Sequence, residues 1–193
     1  RMLDRWLALA EADGVLPQGL DGSRVRAAIT RLQNEMEELG VSTASHVVFA
    51  HNDASALNLV FDEHTRKLAL IDFEYARYNY RGFDLANHLF EYAGSGPIRW
   101  ELLPSRGEQM AFLQHYLRAA REGSGGILAS TDSSRDEDGE ELRRLYEEVQ
   151  AFYPATHLFW GLWALVRSVD ADASDEFDYR GYGEERLRCV LEG

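Results

Sequence analysis

The chain has 193 residues and a formal net charge of −13, from 33 acidic and 20 basic side chains. A surface this negative repels nucleic-acid phosphates and anionic lipid head groups, so we expect neither nucleic-acid binding nor membrane insertion. The longest apolar run, residues 158–166, is too short to span a bilayer, no signal peptide opens the chain, and the single Cys189 fits a reducing compartment. These features predict one acidic cytoplasmic domain.

The first forty residues carry two helical patterns. Apolar residues recur at helical spacing from Leu3 to Ala10 and again from Val25 to Leu39. Gly40 follows the second pattern, where a left-handed helix end is favoured. The two patterns predict two amphipathic helices.

From residue 46 the pattern changes to short apolar runs. Residues 46–50 form the first run, and residues 58–61 and 68–73 form two more around a polar, turn-like segment. Runs of this length between turn residues are typical of β-strands. We predict one short strand followed by a β-hairpin.

Helical spacing returns after the hairpin, at residues 83–93, 105–122, 140–169 and 179–191. Ser105 and Glu108 form a capping-box pattern at the start of the second of these helices. Pro154 is expected to kink or restart the third, because proline lacks the backbone N–H that a helix interior needs. Residues 123–139 are rich in Gly, Ser and Asp and poor in apolar residues, so they are predicted to form a surface loop. The fold class is therefore mainly α with a small β-hairpin, in a single domain over residues 1–193.

A polar loop between the predicted strands carries the residues that could support chemistry. Asp53 could orient a hydroxyl group and accept its proton, and Asn58 and Asp72 offer the oxygen ligands that Mg²⁺ prefers beside nucleotide phosphates. Such residues also cap helices and form turns, but their order and spacing repeat the protein-kinase catalytic loop and metal-binding Asp. His51 is expected to anchor the loop. Glu74 stands where protein kinases have Gly.

The chain resembles the choline/ethanolamine kinase family. The resemblance covers most of residues 6–191 and is carried by four stretches that are specific to that family. They are His51-Asn52-Asp53 with Asn58; Ile71-Asp72-Phe73-Glu74-Tyr75; Tyr78-Asn79-Tyr80-Arg81-Gly82-Phe83-Asp84 with Asn87, His88 and Glu91; and Phe159-Trp160-Gly161-Leu162-Trp163.

The resemblance implies transfer of the ATP γ-phosphate to an amino alcohol, with Mg²⁺ as cofactor, at the start of phosphatidylethanolamine or phosphatidylcholine synthesis. It implies Asp53 as the catalytic base, and Asn58 and Asp72 as metal ligands. An ammonium group is held by a carboxylate and by aromatic faces. The residues implied to line this pocket are Tyr75, Glu91, Trp160, Trp163 and Tyr182. His51 and Glu74 are implied to support the binding residues without contacting the substrate.

The resemblance also implies a kinase-like N-terminal lobe that grips ATP with a Gly-rich loop and a Lys. No such segment precedes the catalytic loop, and the only Lys is Lys67 in the hairpin turn. We therefore expect a C-terminal lobe without its ATP-gripping partner, and an isolated chain that is inactive. Surface exposed by the missing lobe favours self-association, so a homodimer is also expected.

Ethanolamine is favoured over choline as substrate. Gly94 to Pro97 follow Glu91-Tyr92-Ala93 without the additional aromatic that choline kinases tend to carry, and a primary ammonium depends less on a full aromatic cage. Three alternatives stay open: a choline-preferring kinase, an aminoglycoside-type phosphotransferase with the same acidic pattern, and a non-catalytic truncated lobe.

Overall fold

The computed structural model describes residues 2–94, 96–123, 135–172 and 176–192, with the side chains of residues 135–137 excepted. Six α-helices and four short strands are the main elements of this part of the chain, together with four single-turn 3-10 helices, which confirms the mainly helical fold class. They are α1 (Met2–Ala12), α2 (Gly22–Glu38), β1 (Val47–Ala50), β2 (Leu59–Asp62), β3 (Lys67–Leu70), β4 (Arg77–Tyr80), α3 (Arg81–Phe90), α4 (Arg106–Gly123), α5 (Arg135–Arg167) and α6 (Tyr179–Leu191). Most of the loop predicted at residues 123–139 lies outside the described residues, and its last five residues begin α5.

Helix α5 is the central element of the fold, because it packs against each of the other five helices. It continues without interruption through Pro154, so the restart expected there is not found. Phe152, Ala155 and Leu158 are buried around the proline. Their packing offsets the cost of an interior proline, about 3 kcal/mol.

The two ends of α2 show how local sequence determines where a helix begins and ends. Asp21 accepts a hydrogen bond from the backbone N–H of Arg24 at 2.9 Å, which satisfies one donor of the first turn. At the other end Gly40 adopts a φ of 67°, as expected for the residue that follows a helix. The buried face between them carries Val25, Ile29 and their neighbours at helical spacing.

The strands form two separate antiparallel pairs. β2 pairs with β3 as the predicted hairpin, with Leu59 opposite Leu70. β1 pairs instead with β4, with Val47 opposite Tyr80 and Ala50 opposite Arg77. The sequence did not predict β4, because four residues that mix charged, aromatic and amide side chains give no apolar strand pattern.

The pairing of β1 with β4 fixes the position of the loop that follows β1. The end of β1 lies opposite Arg77 at the start of β4, and α3, which begins directly after β4, packs against both strands. Gly82 lets α3 approach α5 closely, since an added Cβ would overlap the ring of Phe152. Among the described helices, none combines the length and apolar character needed to cross a membrane.

Candidate active site

The loop after β1 is held by Asp84, on the first turn of α3. The Asp84 carboxylate accepts hydrogen bonds from the backbone N–H of His51 at 3.0 Å and of Asn52 at 2.6 Å. Arg81, on the same turn of the helix, binds the buried Glu148 at 2.8 Å. The Asp84 carboxylate therefore holds the loop against α3 through these two hydrogen bonds.

Asn52 connects this loop to the segments around it. It has a φ of 65°, a left-handed conformation that Asn tolerates better than most residues. Its side-chain amide donates to the Tyr75 carbonyl at 3.0 Å, and its Oδ1 accepts from the Asn79 side chain at 2.7 Å. Its backbone carbonyl accepts from Asn87 at 3.3 Å. These three hydrogen bonds hold the loop against the Tyr75 segment, against β4 and against α3.

His51 links the loop to the end of the hairpin. Its Nε2 lies 2.8 Å from the Ile71 carbonyl oxygen, and the backbone N–H of Asp53 donates to its Nδ1 at 3.3 Å. The imidazole also packs on Phe73, with ring centroids 4.8 Å apart. These contacts tie the segment before Asp72 to the segment that carries Asp53.

Asp53, Asn58 and Asp72 lie together at the mouth of the hairpin. The Asn58 amide donates to Asp53 Oδ2 at 2.9 Å, and the Asn58 carbonyl accepts the Ile71 N–H at 3.0 Å, next to Asp72. Partial burial raises the pKa of Asp53, against the hydrogen bond from Asn58 and the nearby His51, while Asp72 and Glu74 raise it further. The predicted catalytic and metal-binding residues therefore share one acidic site.

The donor atoms of this site suit Mg²⁺. Asn58 uses its amide nitrogen on Asp53, which leaves its Oδ1 available, and no described residue donates a hydrogen bond to the exposed Asp72 carboxylate. Asp72, two residues after β3, has a φ of 61°, which is uncommon outside glycine. No cluster of three His, Cys, Asp or Glu side chains forms a metal cage in the described residues. Mg²⁺ commonly takes one or two protein carboxylates and completes its shell with water and phosphate.

Three of the predicted pocket residues form a continuous aromatic cluster. The ring centroids of Tyr75 and Trp160 are 5.2 Å apart, as are those of Trp160 and Trp163, and both pairs meet edge to face. The Trp163 indole N–H donates to the Tyr75 hydroxyl at 3.0 Å, and the Trp160 N–H donates to Asn87 Oδ1 at 2.7 Å. Each indole N–H is thus satisfied within the protein, and the rings are held in place.

Glu91 and Tyr182, the two remaining predicted pocket residues, are both strongly shielded from solvent. Burial raises the pKa of Glu91, with Arg186 opposing the rise and Asp53 adding to it. Burial also raises the pKa of Tyr182 to about 12, where Arg186 opposes the rise and Glu91 and Asp53 add to it. The negative charge of Asp53 therefore adds to the rise of the pKa of both Glu91 and Tyr182.

Sequence reasoning left several residues of the site without a role. Asp84 and Asn87 belong to the recognised family stretches, but no sequence pattern indicates their hydrogen bonds to the loop and to Trp160. His88 lies 2.7 Å from the Ala54 carbonyl through its Nδ1. Arg186, which is buried beside Tyr182, carried no signal in the sequence.

Comparison with known proteins gives consistent results. The family described as choline/ethanolamine kinase matches residues 1–191. A probable ethanolamine kinase A from Dictyostelium discoideum is 40% identical over 143 residues, which is 74% of this chain and 37% of that protein. Ethanolamine kinase 1 from Mus musculus is 32% identical over 192 residues, which is 94% of this chain and 50% of that protein. A solved ethanolamine kinase from Plasmodium vivax matches with a TM-score of 0.76 and 27% identity, over 98% of this chain and 47% of that one.

The fold and the order of its acidic groups define a protein of the kinase-like class. Within that class, the match over residues 1–191 shows that the chain belongs to the choline/ethanolamine kinase family. The chain spans half or less of the length of these relatives.

Proposed function

We propose that the protein transfers the γ-phosphate of ATP to the hydroxyl group of ethanolamine in a magnesium-dependent reaction. One observation carries the proposal: the loop of Asp53, which Asn58 joins at 2.9 Å, is hydrogen-bonded through Asn52 to Tyr75 and through Asn87 to Trp160. A base, oxygen ligands for a metal and aromatic faces for an ammonium group therefore belong to one connected set of contacts.

In this proposal Asp53 orients the substrate hydroxyl and accepts its proton. The hydroxyl oxygen forms a bond to the γ-phosphorus, the bond from that phosphorus to the bridging oxygen breaks, and ADP leaves. The proton that the hydroxyl loses passes to the Asp53 carboxylate. The hydrogen bonds that Asp84 and Asn58 make to the loop hold this carboxylate in place.

Asn58 and Asp72 would hold Mg²⁺ through Asn58 Oδ1 and the Asp72 carboxylate. The bound ion would offset the negative charge of the ATP phosphates. Glu74 lies close enough to Asp53 to raise its pKa, and so adds to the negative field of the site. His51 supports the arrangement by joining the loop to the backbone just before Asp72.

Ethanolamine is proposed rather than choline, since a primary ammonium can donate hydrogen bonds and a quaternary one cannot. Glu91 supplies a carboxylate acceptor, and Tyr75, Trp160, Trp163 and Tyr182 supply aromatic faces for cation–π attraction. Tyr92, which follows Glu91, does not add an aromatic ring to the pocket, because its side chain is exposed and packs against His88. The relatives compared above are named as ethanolamine kinases.

We further propose that residues 1–193 form a single C-terminal kinase-like lobe that acts together with an ATP-gripping lobe in the cytoplasm. The chain supplies one Lys, in the hairpin turn, and no Gly-rich phosphate loop before Asp53. In kinases the ATP phosphates are held by a positively charged lysine and by the backbone N–H groups of such a loop. On its own, this lobe is expected to bind amino alcohol without turning it over.

A turnover assay tests these proposals. The full-length gene product is supplied with ATP, Mg²⁺ and either ethanolamine or choline, and ADP release is measured alongside the same assay on residues 1–193. We expect a higher kcat/KM for ethanolamine, dependence on Mg²⁺, and loss of turnover in Asp53→Ala but not in the exposed-loop control Asp13→Ala. A preference for choline would overturn the substrate assignment, and robust turnover by residues 1–193 would overturn the two-lobe assignment.

A further inference from the structure

His88 on α3 is a histidine beside the candidate site to which the proposed reaction gives no role. It stands one helical turn after Asp84, so the two side chains lie on the same face of α3. This face meets the loop after β1 on both sides of Asp53. On one side, Asp84 accepts hydrogen bonds from two backbone N–H groups. On the other side, His88 Nδ1 lies 2.7 Å from the carbonyl oxygen of Ala54.

The direction of this second hydrogen bond follows from the chemistry of the two groups. A carbonyl oxygen only accepts, so His88 Nδ1 carries a proton and is the donor. The imidazole ring is held by two aromatic neighbours. It stacks on Phe112 of α4 with ring centroids 4.9 Å apart, and it meets Tyr92 edge to face at 5.7 Å. The donor is therefore held in place before any substrate binds.

Three successive carbonyl groups around Asp53 each accept a hydrogen bond from a side chain. The first, that of Asn52, accepts from Asn87 on α3 at 3.3 Å. The second, that of Asp53 itself, accepts from Asn58 at 2.9 Å. The third belongs to the next residue and accepts from His88. Because a peptide group is planar, holding its carbonyl holds the whole group. Together these bonds restrict the backbone rotation that would turn the Asp53 carboxylate.

We propose that His88 is a positioning residue, whose hydrogen bond to the Ala54 carbonyl holds the loop so that the Asp53 carboxylate points at the substrate hydroxyl. The inference rests on the proposed function. Loss of this bond should matter less than loss of the base itself, because Asn58 also binds the Asp53 carboxylate at 2.9 Å. A histidine present only to fill the space between its two aromatic neighbours would act through its ring and not through the Nδ1 proton.

The test compares two variants of the full-length gene product that keep different properties of the histidine. His88→Phe keeps an aromatic ring for stacking and removes the donor. His88→Asn removes the ring and keeps an N–H donor close to the position of Nδ1. We expect His88→Phe to lower kcat for ethanolamine about tenfold and to change KM less than about threefold, because a misplaced base affects the chemical step more than substrate binding. His88→Asn should keep kcat within about threefold of the unmodified protein. A single-turnover measurement gives the rate of the chemical step directly.

A double variant tests whether His88 acts through Asp53. In an Asp53→Asn background no base remains to be positioned, so adding His88→Phe should lower kcat by less than about twofold further. The same Phe and Asn substitutions at His115, which is exposed on α4, are the controls and should leave kcat and KM unchanged. His88→Gln places its amide beyond the position of Nδ1, and it replaces the phenylalanine variant if thermal unfolding shows that this variant does not fold.

Two kinds of result would overturn the inference. One is a phenylalanine or glutamine variant that keeps kcat, or an asparagine variant that loses as much kcat as they do. Either outcome would assign His88 to packing. The other is an equal loss of kcat on adding His88→Phe to Asp53→Asn, which would mean that His88 does not act through the base. Absence of ethanolamine phosphorylation by the unmodified protein would instead refute the proposed function, so the two failures are distinguishable.

Discussion

The two ends of the candidate site are built differently. At the amino-alcohol end, Trp160 is 5% exposed and Tyr182 is 8% exposed, and both pack into the helical core around α5. At the phosphate end, the hairpin and its flanks hold large apolar side chains in the open, with Leu57 83% exposed and Leu68 62% exposed. The proposed amino-alcohol end therefore lies within the core of this chain, whereas the exposed apolar hairpin presents a surface suited to contact with another protein surface.

Asp53 stands where the two ends meet, and replacing it should have the largest effect. We expect Asp53→Asn to lower kcat of the full-length gene product about 10³-fold, because the amide cannot accept the hydroxyl proton. The fold should survive, since the new side chain has nearly the same shape and can still contact Asn58. Steady-state kinetics with ethanolamine measure the effect, and Asp13→Asn is the matched control. A loss of less than tenfold would mean that another group takes the proton.

Trp160 tests whether the amino-alcohol end depends on the core. Trp160→Ala should lower the free energy of unfolding by about 3 to 4 kcal/mol, because it leaves a cavity and removes the partner of Asn87 Oδ1. Urea denaturation of residues 1–193 measures the change. Trp100 is half exposed, and Trp100→Ala should cost about 1 kcal/mol or less. Equal losses in the two variants would contradict the contrast between a buried and an open end.

Asp84 tests how firmly the loop between the two ends is held. Asp84→Ala removes the acceptor of two backbone N–H groups, of His51 and Asn52, and should cost about 2 kcal/mol of unfolding free energy. Asp84→Asn keeps one acceptor oxygen and should cost less. Denaturation curves of both variants give the comparison. If Asp84→Ala matched the unmodified protein in stability, water would have to replace the carboxylate fully.

The sequence predicted those parts of the molecule whose structure is determined by residues close together in the chain. Helical periodicity located the long helices, and the linear motif located Asp53 and Asn58, which are five residues apart. Contacts between distant residues gave no such signal: Asp84 accepts from a residue 33 positions away, and Trp160 donates to Asn87 across 73 positions. Arg186 was missed for the same reason, since a basic residue in a helix is usually solvated and only packing shows that this one is buried.

The exposed hairpin should show the smallest change in stability and a distinct change in association. Leu68→Ser replaces a side chain that makes little contact with the core, so the free energy of unfolding should stay within about 0.5 kcal/mol. Removing apolar surface should nevertheless weaken self-association of residues 1–193. Light scattering over a range of protein concentrations measures this, with Arg66→Ser in the neighbouring turn as a polar control. If the unmodified chain stays monomeric at every concentration, the apolar surface of the hairpin does not drive association. If Leu68→Ser and Arg66→Ser weaken association equally, the effect is not specific to the apolar side chain, and the open end of the site differs from the buried end in exposure alone.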